Sequence, residues 1–269
     1  MYVATDLDGT LLDHYSYSWE PAKASIERLK SLAIPIVINT SKTFAEVRKL
    51  QDDLGINSPF IVENGSAIYR RKKARSEFLS VEDYDEQLLG ARREHIVETL
   101  VRLREEKKWS FEIFSDWDVA KTAENTGLSL ADAELSRARK FSEPVAWMDS
   151  QIRLQQFFIT LKGLGLTTLV GGRFIHVLGH CNKGLALKAL VEQDQKHSAS
   201  PIKLICLGDS RNDLDMLAVA DIPVLIRSPA HPFPEHHLRK AVRLSNAFGP
   251  MGWHEIMNKL LREEGLING

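Results

Sequence analysis

Two acids one residue apart, Asp6 and Asp8, follow the short apolar run "YVAT" and lead directly into Gly9 and Thr10. Aspartate tolerates a turn and glycine supplies positive φ, so this cluster has a purely structural reading as a strand end. A second cluster, "LICLGDSRNDLDML", sets Asp209 and Asp213 one helical turn apart, with Asn212 between them, behind another apolar run. Helix capping and complementation of the helix dipole account for these acids singly. Brought together at the ends of two parallel strands, the clusters crowd several carboxylates, and like charges at that range repel by kilocalories unless a cation offsets them. Carboxylate oxygens are hard ligands that suit magnesium, which keeps some waters and leaves room for a substrate phosphate. Thr40, ending "IPIVINT", and Lys183, opening a helix at "CNKGLAL", supply a hydroxyl and an ammonium for such a phosphate. Alone, Thr40 reads equally as a helix N-cap and Lys183 as a surface lysine.

These residues need a scaffold that gathers strand ends. The first third alternates "MYVAT", an amphipathic helix over residues 21–33, "IPIVINT", a second helix over 43–54 and "PFIVENG". The same rhythm returns late, with a helix over 183–196, "IKLICLGD", a helix over 212–220 and "IPVLI". Strands joined by single helices imply a parallel sheet with right-handed crossovers and its chemistry at the strand C-terminal ends, so the two chain ends are expected to build one sheet. In between, "DYDEQLLGARREHIVETLVRLREEKK" reads as a long charged helix with Glu94, Glu98 and Arg102 on a solvated face, and "LADAELSRARK" as another. "QQFFITLKG", "LTTLV" and "RFIHVLG" read as antiparallel strands. The expected division is therefore a core of residues 1–79 and 180–269 with an inserted α/β domain at 80–179, joined by linkers near 75–80 and 179–181.

Composition narrows the function classes. A chain of 269 residues with 43% hydrophobic and 26% charged residues and a formal charge of −1 lacks the basic excess of a nucleic-acid binder. No apolar run is long enough to span a bilayer and the start shows no basic leader, so no membrane partner is expected and the cytoplasm is the expected location. Cys206 sits within an apolar run, and both it and Cys181 are read as reduced thiols. "HEIMN" has Asn258 where a zinc-protease helix needs its second histidine, and "GLGLTT" lacks the third glycine of a dinucleotide loop. The Pro-rich "SPAHPFPEHH", residues 228–237, reads as a surface loop.

Acid pair, hydroxyl, lysine and acid pair, in that order along the chain, resemble the four motifs of the haloacid dehalogenase superfamily: "DLDGT", Thr40, Lys183 in "NKG" and "GDSRND". An insertion between the Thr40 and Lys183 motifs is similar to that of the Cof-type sugar-phosphate phosphatases. Nearly end to end, "NTSKTFAEV", "PFIVENGSAIY", "RARKFSEPVAW", "GGRFIHVLG" and "GPMGW" resemble the mannosyl-3-phosphoglycerate phosphatases. The resemblance implies a Rossmann-like α/β core, a parallel sheet with helices on both faces, plus an inserted α/β cap domain that opens and closes. It implies Asp6 as the nucleophile that forms an aspartyl-phosphate and Asp8 as the acid and base. Asp6, the Asp8 carbonyl and Asp209 would hold Mg2+, supported by Asp213 and Asn212, while Thr40 and Lys183 would hold the phosphoryl group. The cap residues Arg137, Ser142, Glu143, Gly172 and Arg173 become candidates for recognising the glycosyl and glycerate parts. Their structural reading is a capped helix at Ser142-Glu143-Pro144 and a hairpin turn at Gly171-Gly172. The implied partner is a small phosphorylated sugar or glycosyl-phosphoglycerate, handled by a monomer or small homo-oligomer. A general Cof-type sugar phosphatase, a phosphomutase and a non-catalytic binding protein stand as alternatives.

Overall fold

A computed structural model describes residues 1–72, 81–171 and 173–267. Strand β1, Tyr2–Thr5, leads to helix α1, Lys23–Ser31, strand β2, Ile36–Ile38, and helix α2, Phe44–Leu54. Thr43 and Glu46 form a reciprocal capping box at the start of α2, and Gly55 ends it in the left-handed region. Next come β3, Phe60–Val62, β4, Ala67–Arg71, and β5, Tyr84–Leu88, then α3, Arg93–Lys107, and β6, Phe111–Ile113. Helices α4, Val119–Thr126, and α5, Leu130–Arg137, precede β7, Ser142–Trp147, α6, Gln151–Gly163, β8, Thr167–Val170, and β9, Ile175–Leu178. The chain closes with α7, Lys183–Gln195, β10, Leu204–Gly208, α8, Leu214–Val219, β11, Ile222–Arg227, β12, Arg243–Phe248, and α9, Gly249–Glu263.

The α/β reading holds at the level of the sheet. Five strands in the order β12-β11-β10-β1-β2 pair in parallel, with β1 flanked by β10 and β2, so both chain ends build it. Both faces of such a sheet are covered, and successive side chains go to opposite layers. Val3 packs in one apolar cluster with Ile26 of α1 and Trp253, Met257 and Leu260 of α9. Its neighbour Ala4 packs in the other, with Ala186, Leu187 and Leu190 of α7 and Met216 and Leu217 of α8. A second sheet, β3-β4-β5, is antiparallel, and a third, β6-β7-β9-β8, is antiparallel with its own apolar core formed against Ile96 and Leu100 of α3 and Phe157 and Leu161 of α6.

Three local expectations are corrected. "QQFFITLKG" lies inside α6 rather than in a strand: Phe157 and Leu161, four residues apart, are its buried positions, and the Ser150 side chain caps the helix start. The long charged helix expected from residue 83 begins only at Arg93, because residues 84–88 pair with β4 in register. That strand lies within the range expected for the insertion, yet its partner belongs to the segment before it. The helix start expected at Ser142-Glu143-Pro144 is instead the beginning of β7. The linker expected at 75–80 lies outside the described residues, as does Gly172.

Candidate active site

Asp6 directly follows β1 and Asp209 directly follows β10, and these strands are adjacent and parallel, so their C-terminal ends bring the two acid clusters together. Gly9 makes the turn possible. Its φ is +79°, and a Cβ there would stand 2.7 Å from Asp209 Oδ2. Thr10 Oγ1 donates to Asp209 Oδ1 at 3.2 Å, tying the two loops. Asp6, Asp209 and Asp213 each offer an oxygen within 4.8 Å of the others, and all three residues are buried.

Lys183, at the first position of α7, is buried among them. Its Nζ donates to Asp6 Oδ1 and to Asp213 Oδ1, each at 2.6 Å. Burial works against its charge, but Asp213 and Asp6 outweigh it and hold the ammonium pKa above the ordinary lysine value. Burial raises the Asp6 carboxyl well above the usual carboxylate range, with Lys183 opposing and Asp213 and Asp209 adding to the rise. Asp209 is pushed up to about 7, first by burial and then by Asp213. One ammonium for three buried carboxylates leaves a deficit of positive charge. A set made wholly of carboxylate oxygens fits a hard divalent cation and not a soft one.

The remaining core candidates sit nearby in different settings. Asp213 carries a structural load as well, because its Oδ2 accepts from the backbone N–H of Asp209 and Ser210, 3.0 Å each. Asn212 Nδ2 donates to Asn64 Oδ1 at 3.3 Å. Asp8 forms an ion pair with Lys42, whose Nζ lies 3.1 Å from Oδ1 and also faces Glu46 at 3.6 Å. Buried Thr40 lies just past the end of β2, where its Oγ1 accepts from Lys42 N–H at 3.2 Å.

Asp6, Asp8 and Asp209 open onto a cleft of about 1010 Å3, also lined by Ser41 and Asn64 from the core side and by Val170, Gly171 and His176 from the four-stranded sheet. Residues 230–235 form another wall, so the Pro-rich stretch read as a surface loop borders the site. His231 Nε2 stands 3.3 Å from Asp209 Oδ2. Its proline spacing gave no sign of this, since what places it is the end of β11, two strands from β1.

Four of the residues expected to meet substrate in the insertion do not line the cleft. Arg137 Nη2 donates to the Trp117 carbonyl at 2.6 Å, and Arg173 Nη1 to the carbonyls of Thr126 at 2.7 Å and Asn125 at 3.2 Å. Fully buried Glu143 pairs with Arg93 and accepts from Ser115 N–H at 2.7 Å. Ser142 Oγ donates to Glu63 Oε2 at 2.6 Å. Glu63 is the residue this reveals. Buried beside the core, with φ of +49°, it also accepts backbone N–H from Lys140 at 2.9 Å and Phe141 at 3.2 Å. Asn64, at φ +60°, follows it and turns to the cleft. Asparagine before glycine in "ENG" is the sequence signal for such a left-handed step.

Clustered carboxylates around one buried lysine stand at the C-terminal edge of a parallel sheet, where such sheets place their binding sites. The haloacid dehalogenase-like hydrolase family pattern matches residues 3–231, and the chain belongs to that family. It is 32% identical over 271 residues to a glucosyl-3-phosphoglycerate/mannosyl-3-phosphoglycerate phosphatase of Methanococcoides burtonii, covering 98% of each chain. Among solved structures it is similar to a Thermoplasma acidophilum protein, with a TM-score of 0.67 at 16% identity over 99% of this chain and 98% of that one. It is also similar to a haloacid dehalogenase-like hydrolase of B. subtilis, with a TM-score of 0.63 at 18% identity over 97% and 99% of the two chains. The sucrose-phosphatase of Synechocystis gives a TM-score of 0.59 at 16% identity over 96% and 97%. The chain is a phosphoric monoester hydrolase of this family.

Proposed function

We propose that the protein is a Mg2+-dependent phosphatase of mannosyl-3-phosphoglycerate or its glucosyl analogue, releasing the glycosylglycerate and phosphate. The observation that carries the chemistry is the buried array of Asp6, Asp209 and Asp213 around Lys183, opening with Asp8 onto one cleft. The substrate reading is supported by the relative from Methanococcoides burtonii, matched over nearly the whole of both chains.

In this mechanism Asp6 attacks the phosphorus and the bond to the leaving oxygen breaks, giving an aspartyl-phosphate. Asp8 delivers a proton to the leaving hydroxyl, then takes one from the water that hydrolyses the acyl phosphate. Lys42 holds Asp8 at 3.1 Å, and Lys183 opposes the effect of burial on Asp6, favouring the anion that attacks. Lys183 and Thr40 balance charge on the phosphoryl oxygens. Asp6, the Asp8 carbonyl and Asp209 would hold Mg2+, with Asp213 and Asn212 supporting them. When bound, the cation neutralises phosphate charge and lowers the carboxyl pKa values. The unit built on β6 to β9 acts as a cap over the cleft, excluding water once substrate is in place.

A phosphate-release screen with Mg2+ over both glycosyl-3-phosphoglycerates and a hexose-phosphate panel tests this. Highest kcat/KM on a glycosyl-3-phosphoglycerate is expected. Turnover of hexose phosphates alone would leave a general sugar phosphatase, and an isomerised sugar phosphate would mean a mutase.

A further inference from the structure

The turn between β3 and β4 is buried throughout, whereas a turn joining two antiparallel strands ordinarily lies in solvent. It is also strained: Glu63, Asn64 and Gly65 take φ of +49°, +60° and +92° in succession, and only glycine does so without cost. Surroundings on three sides hold this step. The Asn64 backbone N–H donates to the Thr40 carbonyl at 2.9 Å, just past β2. Gly65 lies against the start of α7, where a Cβ would stand 2.2 Å from the Asn182 carbonyl oxygen and 2.9 Å from Lys183 N. Asn64 Oδ1 accepts from Asn212 Nδ2, and Asn212 Oδ1 accepts in turn from Ser210 Oγ. The ends of β2 and β10 and the start of α7, which supply Thr40, Asn212 and Lys183, thus meet at this one turn. Backbone strain held so firmly by its surroundings points to a function for the side chain it carries.

Asn64 is 2% exposed and lines the cleft together with Ser41 and Asn212. With its Oδ1 taken up by Asn212, its amide NH2 is left without an acceptor among the described residues. Enclosed on its other sides, that donor can meet an acceptor only in the cleft. Free donors are scarce there: Lys183 Nζ gives two of its three hydrogens to Asp6 and Asp213, and Asn212 Nδ2 gives one to Asn64 itself. A phosphoryl group in transfer spreads negative charge over three oxygens and is stabilised by donors fixed in place beforehand. An amide supplies such a donor without adding a charge. As the bond from Asp6 to phosphorus forms and the bond to the leaving oxygen breaks, the amide keeps both its hydrogens. We infer that Asn64 is a further catalytic residue, its Nδ2 donating to an oxygen of the transferred phosphoryl group.

This deepens the phosphatase reading above and rests on it. Two variants keep the left-handed backbone: Asn64→Gly removes the amide, while Asn64→Asp keeps an acceptor for Asn212 and puts a carboxylate oxygen where the donor stood. One readout is the Kd for inorganic phosphate with Mg2+ by calorimetry; the other is kcat/KM on whichever phosphomonoester the wild type turns over fastest. Losing a hydrogen bond to a charged group is expected to raise the Kd and lower kcat/KM by about 10- to 100-fold in Asn64→Gly. Asn64→Asp is expected to lose more, because its charge repels the phosphoryl oxygens. A residue that only forms the turn predicts otherwise, since both replacements adopt the same backbone. Wild-type values in Asn64→Gly would therefore overturn the assignment. So would a loss in Asn64→Gly that Asn64→Asp restores, because the bond to Asn212 alone would then matter. If the wild type binds phosphate and hydrolyses hexose phosphates but neither glycosyl-3-phosphoglycerate, the substrate proposed above fails separately, and these variants still decide the role of Asn64.

Discussion

Lys183 shares one ammonium between two buried carboxylates, and its removal would leave both without a cation. Breaking a buried ion pair from one side costs about 3–5 kcal/mol, so Lys183→Met should lower the urea midpoint sharply as well as abolish turnover. Asp6→Asn behaves differently. It should cut phosphate release by about 10^4-fold or more, while its melting temperature at pH 8 stays at or above wild type, since an ionised Asp6 is costly in the fold. The pH dependence follows from Asp209. Its pKa is about 7 in the fold and about 4 in an unfolded chain, so between those values the folded protein holds the extra proton. Stability with a chelator present should therefore fall as pH rises from 4 to 7 and level off above it. Mg2+ should raise the melting temperature more at pH 8 than at pH 5, and Asp209→Asn should flatten the metal-free slope; melts across pH with and without the ion check both.

Between the sheet ends and the four-stranded unit, Glu63 is the connecting piece. Three donors from residues 140–142 converge on one buried carboxylate, and Thr43 Oγ1 adds a bond to the Leu135 carbonyl at 2.9 Å. Glu63→Ala should loosen this contact, raising KM and the small-angle scattering radius of substrate-free protein; an unchanged radius would show that other contacts hold the unit in place. None of this is written locally. Asp6, Asp209 and Lys183 could be read from sequence because each abuts an apolar run or opens a helix, where chain direction alone sets its placement. Glu63 serves partners some eighty residues away, and only the tertiary fold brings them together. The misread α6 has a related cause: its phenylalanines and isoleucine favour strands, and burial at a spacing of four overrides that preference.

At the scale of the whole molecule, the insertion separates the halves of one sheet. β1 and β10 are in register from Tyr2 with Leu204 to Thr5 with Leu207, so the central pair joins residues about two hundred apart. Such non-local pairing makes closure of the core slow, whereas the four-stranded unit, whose apolar cluster draws on residues 91–177, can form on its own timescale. Refolding followed by tryptophan fluorescence should show at least two phases, Trp109 and Trp147 reporting the unit and Trp253 the core; a single phase for all three, resolved with single-tryptophan variants, would count against this. The same arrangement bears on synthesis. While a ribosome is making the chain, β1, which leads into Asp6, emerges well before β10 and waits for it as its neighbour on one side. A nascent chain cut short anywhere before residue 204 therefore carries Asp6 without Asp209 and Asp213, and the acid cluster is complete only once β10 and the turn after it have been made.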